Sequence, residues 1–462
     1  MKIFLTHAYY LNDDKKELAV MKPYVPLGIL YISSYLKQHG FDVHVYDSTF
    51  FSFRDQQKKL LEIKPDIIAV YCNLMTKLNV LPLIKFIKSS PELAGSKIVL
   101  GGPEPPFYAG EFLNYGADII VEGEGEETMR ELCSELSRHN SELNKICGII
   151  YKDKNGKACK NTPREKIKDI DLFPMPDRES VNLYLYMQTW KKAHGYSAIS
   201  INTMRGCPYT CRWCSHSVYG MTYRRRSPEK TVEEIEYIMA HYNPDMFWFV
   251  DDVFTISHKW LNKLNAMLKE SNIRIKFECI SRSDRLNEDV IKILKEMGCF
   301  RLWIGAESGS QHVLDLMDRR VKADNVREMI RLTMKHGIEA GTFIMLGYPG
   351  EKKKDIIETA EHLKNSNPNI FLTTVAYPIK GTPFYNEVES DLITDLPWEK
   401  CTDRDLDFKG RYSKSFYKHA NRFLINEVNY HKLKSNGKAP IADLTKTFVK
   451  AKISKMMMDL IK

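Results

Sequence analysis

The sequence has no long hydrophobic run: no window approaches the ~18 uninterrupted apolar residues of a membrane-spanning helix, which excludes an integral helical membrane protein. Its opening stretch, "MKIFLTHAYYLNDDKK", lacks an apolar core of signal-peptide length, which argues against export and for a cytosolic protein. No short-period internal repeat is visible, so a repeat array is excluded. No Gly-x-Gly-x-x-Gly follows the first apolar run, which argues against a nicotinamide cofactor. Cysteine is sparse as well. Of ten cysteines in 462 residues, seven (Cys72, Cys133, Cys147, Cys159, Cys279, Cys299 and Cys401) are scattered singly. They read as reduced, mostly buried thiols rather than a disulfide framework. With 43% hydrophobic and 27% charged residues, the chain is neither disordered nor fibrous, and its length predicts two or three domains.

Residues 1–150 alternate short β-branched runs ("KIFLTH", "FDVHVYD", "DIIAVYC", "KIVLGG", "ADIIVEGEGE") with stretches of helical spacing such as "PLGILYISSYLKQHG". This pattern predicts an α/β, doubly wound, Rossmann-like domain whose ligands bind beyond the carboxyl ends of the strands. Those ends carry "GGPEPP" and "EGEGEE", where Gly101, Gly102, Gly123 and Gly125 either allow backbone to approach a large ligand or simply form turns. Residues 151–196 read as a linker, with "KNGK" as a hairpin turn. Six further strand–helix units from 197 to 390, beginning "SAISINT", "DMFWFVD" and "IRIKFECIS", predict a parallel (β/α)6 partial TIM barrel with its chemistry at the strand C-termini. Residues 391–462 read as a helical, basic C-terminal region.

The three remaining cysteines, Cys207, Cys211 and Cys214, crowd into "RGCPYTCRWCSHSVYG", the loop after the first barrel strand. A structural zinc site closes four ligands, commonly as two Cys-x-x-Cys pairs. Here three cysteines and His216 stand without a second pair. Three thiolates around a [4Fe-4S] cubane leave one iron open to a ligand, which suits an active site at a barrel mouth.

This spacing, Cys-x-x-x-Cys-x-x-Cys with Trp213 before the third cysteine, resembles the motif of the radical S-adenosylmethionine (SAM) enzymes. The resemblance implies that the open iron chelates SAM, whose cleavage gives a 5′-deoxyadenosyl radical. By the same resemblance "FVDDVFT" assigns the SAM ammonium to Asp251 or Asp252, "ECISRSD" assigns its carboxylate to Arg282, and "IGAESGSQ" assigns its ribose to Glu307 and Ser308. "FIMLGYPGE" would lie along adenine from Met345 to Gly347. The plainer alternatives are a surface ion pair for Arg282 and helix caps for Asp251, Asp252 and Ser308. The N-terminal domain resembles the cobalamin-binding domain fused to one branch of this family, which implies cobalamin contacts at Gly101, Gly102, Glu122, Gly123 and Gly125. The Asp-x-His-x-x-Gly pattern of other cobalamin proteins is missing, and His7 and His44 look like strand residues, so the cobalt is expected to lack a histidine ligand.

The resemblance therefore implies a cobalamin-dependent methylase acting on an unactivated carbon through methylcobalamin and the deoxyadenosyl radical. It also implies a small-molecule or lipid-like substrate and an external electron donor such as a flavodoxin or ferredoxin. The alternatives are a cobalamin-dependent ring-forming oxidase without methyl transfer, and an RNA-modifying methylthiotransferase holding a second cluster on Cys72, Cys133 and Cys147. Net charge is +9, and residues 401–462 carry 14 lysines and arginines against 6 aspartates and glutamates, so the excess sits in the tail. Within "IADLTKTFVKAKISKMMMDLIK" the apolar positions Ile441, Leu444, Phe448, Ile453, Met456, Met457 and Leu460 gather toward one helical face. That face is expected to pack on the barrel, with peripheral contact to an anionic membrane as the alternative. Arginine is scarce there and the aromatics are spaced like core positions, so no nucleic acid is expected.

Overall fold

The computed structural model describes residues 1–138, 142–435, 437 and 439–461. Strands β1 (Lys2–His7), β2 (Asp42–Tyr46), β3 (Ile67–Tyr71), β4 (Lys97–Gly101) and β5 (Ile119–Val121) run parallel in the order β2-β1-β3-β4-β5. Side-chain alternation sends Ile3, Leu5, Ile67, Val99, Ile119 and Val121 into one core and Phe4, Ile68, Val70, Ile98, Leu100 and Ile120 into another. With both faces covered, the strands read as continuous apolar runs, as parallel strands do. The order reverses between β1 and β3, which opens a crevice beyond the strand ends.

The sheet does not stop at the expected boundary of residue 150. β6 (Ile149–Lys152) pairs antiparallel with β5, and β7 (Ala158–Lys160) closes a hairpin on it. Ile149 and Ile150 are both buried, so the apolar alternation that defines the sheet continues past the break in composition. The segment expected as a linker is mostly docked. Its helix Leu183–His194 buries Tyr186 and Trp190, and the Tyr186 hydroxyl donates to Asp47 at 2.6 Å. Arg178, 1% exposed, donates to the Ser200 carbonyl at 2.9 Å and to Glu234 at 2.6 Å, while Arg226 approaches the other oxygen of Glu234.

Strand β8 (Ala198–Ile201) opens the second unit, followed by the two-residue strands β9 (Met204–Arg205) and β10 (Arg224–Arg225), which pair with each other. Then come β11 (Met246–Phe249), β12 (Phe277–Ser281), β13 (Cys299–Glu307), β14 (Glu339–Leu346) and β15 (Ile370–Val375). Six of these form a parallel sheet, β8-β11-β12-β13-β14-β15, whose first and last strands do not pair, so the barrel is partial as expected. The helices between strands begin on conventional signals: Ser227 caps Pro228–His241 through the Lys230 amide at 3.2 Å, with proline in the first position.

The last two helices, Lys414–Ser435 and Ile441–Leu460, pack against each other. The first buries Phe416, Tyr417, Ala420, Phe423, Leu424 and Val428 against the barrel. The second departs from expectation. It buries Ala451, Ser454 and Met458, while Ile441, Phe448, Ile453, Met456 and Leu460 are exposed. The buried side is formed by two small residues and Met458, which joins the main core, and most of the helix's other bulky apolar residues face away from it.

Glu234 is 0% exposed and is shared by two buried guanidinium groups. Removing it leaves both without their counter-charge, and breaking a buried pair in this way costs ~3 to 5 kcal/mol. Glu234→Ala is expected to lower the thermal midpoint by several degrees in a calorimetric scan, with the docked linker becoming susceptible to proteolysis.

Candidate active site

The antiparallel pairing of β9 with β10 closes residues 206–223 into a loop with a fixed neck. Gly206 opens the loop at φ +81°, and a Cβ there would stand 2.5 Å from the Thr222 hydroxyl. Asp251, fully buried, fastens the neck from below. Its carboxylate accepts from the Thr203 amide at 2.7 Å, the Met204 amide at 3.1 Å, the Asn202 side chain at 3.3 Å, Arg225 at 3.1 Å and the Thr203 hydroxyl. Asp251 therefore has no lone pair left for a ligand. Asp252 is exposed to a cavity, and its carboxyl is held above the usual range by surrounding protein and then by the charge of Asp251.

A second set of charges ties the neck to the first domain. Arg205 and Arg224 donate to Glu124 at 2.9 and 2.6 Å, and Arg205 also reaches Glu126. All four side chains are more than nine-tenths buried. The Arg205 guanidinium lies 4.4 Å from the Phe173 ring centroid. None of these partners was anticipated from the sequence, although Glu124 and Glu126 belong to the glycine-rich motif.

Within the loop, Cys211 is buried and Cys207 and Cys214 are partly buried. Burial pushes the Cys207 thiol up, with Asp252 and Cys211 adding to it. Cys214 is raised by burial, then by Cys211, Glu307 and Cys207. Two buried guanidinium groups face the Cys211 sulfur, Arg282 at 3.4 Å and Arg319 at 3.6 Å. Paired cations beside a sulfur suit thiolates that carry negative charge. Among the described residues no three His, Cys, Asp or Glu side chains converge closely enough to hold a single metal ion. Three thiols on one loop beside two guanidinium groups suit a cluster held by three cysteines.

Arg282 departs from its expected role. Its donors go to Asp284 at 2.9 and 3.2 Å, to the Arg319 carbonyl at 2.9 Å and to Cys211, and it stacks 3.8 Å from the Tyr209 ring centroid. It braces the cysteine loop and does not line the cavity. Arg319, unremarked in the sequence, lies 3.8 Å from Glu307 and donates to the Gly305 carbonyl at 3.0 Å. Glu307 ends β13 at φ +61°, where the register to β14 shifts. A left-handed non-glycine residue at a barrel mouth is a costly conformation of the kind found at functional sites. Burial raises its carboxyl, partly offset by Arg319 and Arg282.

Ser308 is buried against Thr359 at 3.2 Å and accepts the Ser310 amide, so it caps the following turn rather than facing a ligand. Trp213 packs with Met345 and Leu392 on the core around Tyr348 and Phe384, anchoring the cysteine loop to the end of β14. Gly347 donates its amide to Glu351 at 2.6 Å, and a Cβ on it would stand 3.0 Å from the Tyr417 ring. Both positions lie at the barrel mouth, as expected.

A cavity of about 600 Å³ separates the cysteine loop from the first sheet. One wall is formed by strand ends and glycines of the first domain, including Gly28, Gly101, Gly102, Gly123 and Gly125, over an apolar floor of Leu5, Ala69, Val99, Val121 and Met129. Gly206, Cys207, residues 215–220 and Asp252 form the other. Gly102, at φ +111°, brings the chain so close that a Cβ would stand 2.3 Å from the Cys72 carbonyl. At Gly28 a Cβ would meet nothing within 4 Å, and at Gly123 only the Val218 carbonyl at 3.8 Å, so both leave space that a flat ligand fills. The side chain of Glu122 turns to Lys160 at 2.8 Å, and the cavity is lined by Gly123, Glu124 and Gly125 beside it. The first domain contributes no histidine to the wall. His7 is committed to Asp47 at 2.9 Å and accepts the Tyr9 amide at 3.1 Å, and the cavity histidine, His216, comes from the cysteine loop. This wall fits cobalamin held without a histidine from the domain beneath it. A second cluster is not assembled there, because Cys72 and Cys133 lie in separate cores on opposite faces of the sheet.

Comparison with known proteins agrees with this geometry. Residues 201–363 match the radical SAM superfamily and residues 19–133 match the B12 binding domain. The chain is 29% identical over 412 residues to an uncharacterized methyltransferase of Pyrococcus horikoshii, covering 88% of this chain and 87% of that one. It is 26% identical to an anaerobic magnesium-protoporphyrin IX monomethyl ester cyclase of Synechocystis, covering 81% and 75%. Among solved structures, the cobalamin-dependent SAM radical enzyme OxsB superposes with a TM-score of 0.76 at 19% identity, over 99% of this chain and 72% of that one, a likeness of fold. The radical SAM domain brings a [4Fe-4S] cluster and SAM, and the B12 domain brings cobalamin. Thiol loop, glycine-lined crevice and shared cavity thus fall where the two matched domains meet: the chain is a radical SAM enzyme with an N-terminal B12-binding domain.

Proposed function

We propose that the enzyme methylates an unactivated carbon of a small molecule. The observation that carries this reading is the single cavity with Cys207 and Asp252 on one wall and the glycine ends of the first sheet on the other. When bound, the cluster supplies the electron that splits SAM to a 5′-deoxyadenosyl radical, and cobalamin supplies a methyl group for the substrate carbon. Cys207, Cys211 and Cys214 would hold the cluster, with an external flavodoxin or ferredoxin as the electron donor. Arg282 and Arg319 position the thiolates through Cys211. Asp252, the aspartate with a free carboxylate, takes the SAM ammonium, and Glu307 takes the ribose hydroxyls. Gly28 and Gly123 leave room for the cobalamin face. Ring formation without methyl transfer is the second reading, supported by the likeness to the magnesium-protoporphyrin ester cyclase.

Product accounting separates the two readings. A methylase releases S-adenosylhomocysteine and 5′-deoxyadenosine in equal amounts per turnover, and a cyclase releases no S-adenosylhomocysteine; reconstituted protein assayed with reductant is expected to give the first result.

The division between Asp252 and Arg282 is testable by mutation. A lost charge-assisted contact costs ~1.5 to 3 kcal/mol, about ten- to a hundredfold in affinity. Asp252→Asn is expected to weaken SAM binding by that factor at normal iron content. Arg282→Ala is expected to lower iron and sulfide content instead, because it removes a brace of the cysteine loop.

Glu124→Ala leaves Arg224 without a carboxylate and Arg205 with Glu126 alone, so the contact between the cysteine-loop neck and the first domain is expected to loosen. The measurable outcome is loss of cobalamin retention on desalting while SAM cleavage persists in part.

A further inference from the structure

Helix Ile441–Leu460 turns its bulky apolar residues outward. Ile441, Val449, Ile453, Met456 and Leu460 are 81%, 45%, 50%, 54% and 69% exposed, although the same helix buries Ala451, Ser454 and Met458. At ~100° per residue Val449, Ile453, Met456 and Leu460 fall within ~60° of one another as one stripe on the ~30 Å helix, and Ile441 stands off its edge at the helix start. Lys446 and Lys450 flank it on one side, Lys452 and Lys455 on the other. Phe448 lies beside the stripe, its ring 5.3 Å from that of Tyr430.

The helix is held in place at the level of the barrel mouth. Lys353, at the start of the helix after β14, pairs with Asp459. The preceding helix runs the opposite way, from Tyr417 beside Gly347 at the mouth to Lys432 on the Pro368 carbonyl at the far end. Met456 and Leu460 therefore lie at the active-site end of the stripe. Among the described residues no helix is long and apolar enough to cross a membrane.

We propose that this stripe docks the enzyme on an anionic lipid bilayer, with the apolar residues entering the headgroup boundary and the flanking lysines pairing with acidic headgroups. Docking through this helix is independent of the methylase chemistry. Charge complementarity selects the occupant. A second copy of the chain would bring the same lysine rows together at like charge, and an acidic redox protein would match the lysines but not five exposed aliphatic side chains. A bilayer matches both, because its surface is anionic over an apolar interior.

Sedimentation of the reconstituted full-length enzyme with vesicles tests the proposal. Pelleting is expected with phosphatidylglycerol mixed into phosphatidylcholine, and not with phosphatidylcholine alone, and it falls as salt screens the lysines. Ile453→Asp combined with Met456→Asp is expected to reduce partitioning about tenfold or more. Lys446→Ala and Lys450→Ala are each expected to reduce it about fivefold. SAM cleavage in solution should be unchanged in all of these variants, which shows that they fold. Three results overturn the proposal: no pelleting of the wild-type enzyme at low salt, equal pelleting of the Asp double variant, or a wild-type dimer in sedimentation velocity that the double variant dissolves. Loss of reduction by flavodoxin in the double variant, without vesicle binding by the wild type, makes the stripe a protein interface and likewise overturns it.

Discussion

The placement of the cysteine loop depends on four buried charges. Arg205 stands two residues before Cys207, and its guanidinium is shared between Glu124 and Glu126 at the carboxyl end of β5, with Arg224 closing the set from the other side of the neck. Burying such groups costs several kcal/mol per ion before their attraction is counted, so the set adds little net stability. What it contributes is position. The neck can satisfy its guanidinium groups only where the glycine-rich loop of the first domain presents carboxylates, and that register sets the width of the cavity between the two sheets.

The neck also explains why neighbouring aspartates have different fates. Beyond the end of β11, the neighbouring side chains of Asp251 and Asp252 meet different surroundings. Asp251 points under the loop and is saturated by donors, whereas Asp252 points over it into open space. The sequence carried the motif but not its orientation, which is a property of where the strand stops. The same holds for Arg282 and Arg319. Both are buried beside Cys211, yet only Arg282 sits in a recognisable segment. That the three cysteines share one loop at the barrel mouth, and that Gly101, Gly102, Gly123 and Gly125 line the cavity, was legible from the spacing and the glycine runs. Glu122 belongs to the same run as Glu124 and Glu126 but lies where the chain still follows the sheet, with its side chain turned toward Lys160.

At the level of the fold, both sheets were legible from apolar alternation, since parallel strands buried on two faces leave unbroken β-branched runs. Two features were not. The hairpin turn at "KNGK" was read, but not that its strands β6 and β7 extend the first sheet across a compositional break, because pairing with an edge strand demands only a short alternating segment. The final helix reverses the expected orientation. Helical periodicity locates an apolar face, but it does not say whether that face or a stripe of small residues makes the tighter contact. Here Ala451, Ser454 and Met458 form the buried side, and most of the other bulky apolar residues face away from it.

The three parts of the molecule touch in a closed ring, and this gives the cavity its rigidity. The first domain meets the barrel through Glu124 and Arg205. The barrel meets the C-terminal region where the Tyr417 ring lies over Gly347. The C-terminal region returns to the first domain through Lys77, 1% exposed, whose ammonium donates to the Cys401 carbonyl at 2.9 Å and lies 4.4 and 4.9 Å from the rings of Trp398 and Tyr108. Tyr108 in turn donates to Asp403 at 2.7 Å. Burial lowers the Lys77 pKa, and one carbonyl with two aromatic faces replaces much of its hydration. Opening any one contact leaves the other two to hold the units together, so a change in cavity width has to strain at least one further contact. A site that binds large cofactors from two different domains gains from that constraint, because the distance between its reacting groups is then set by the whole ring rather than by a single hinge.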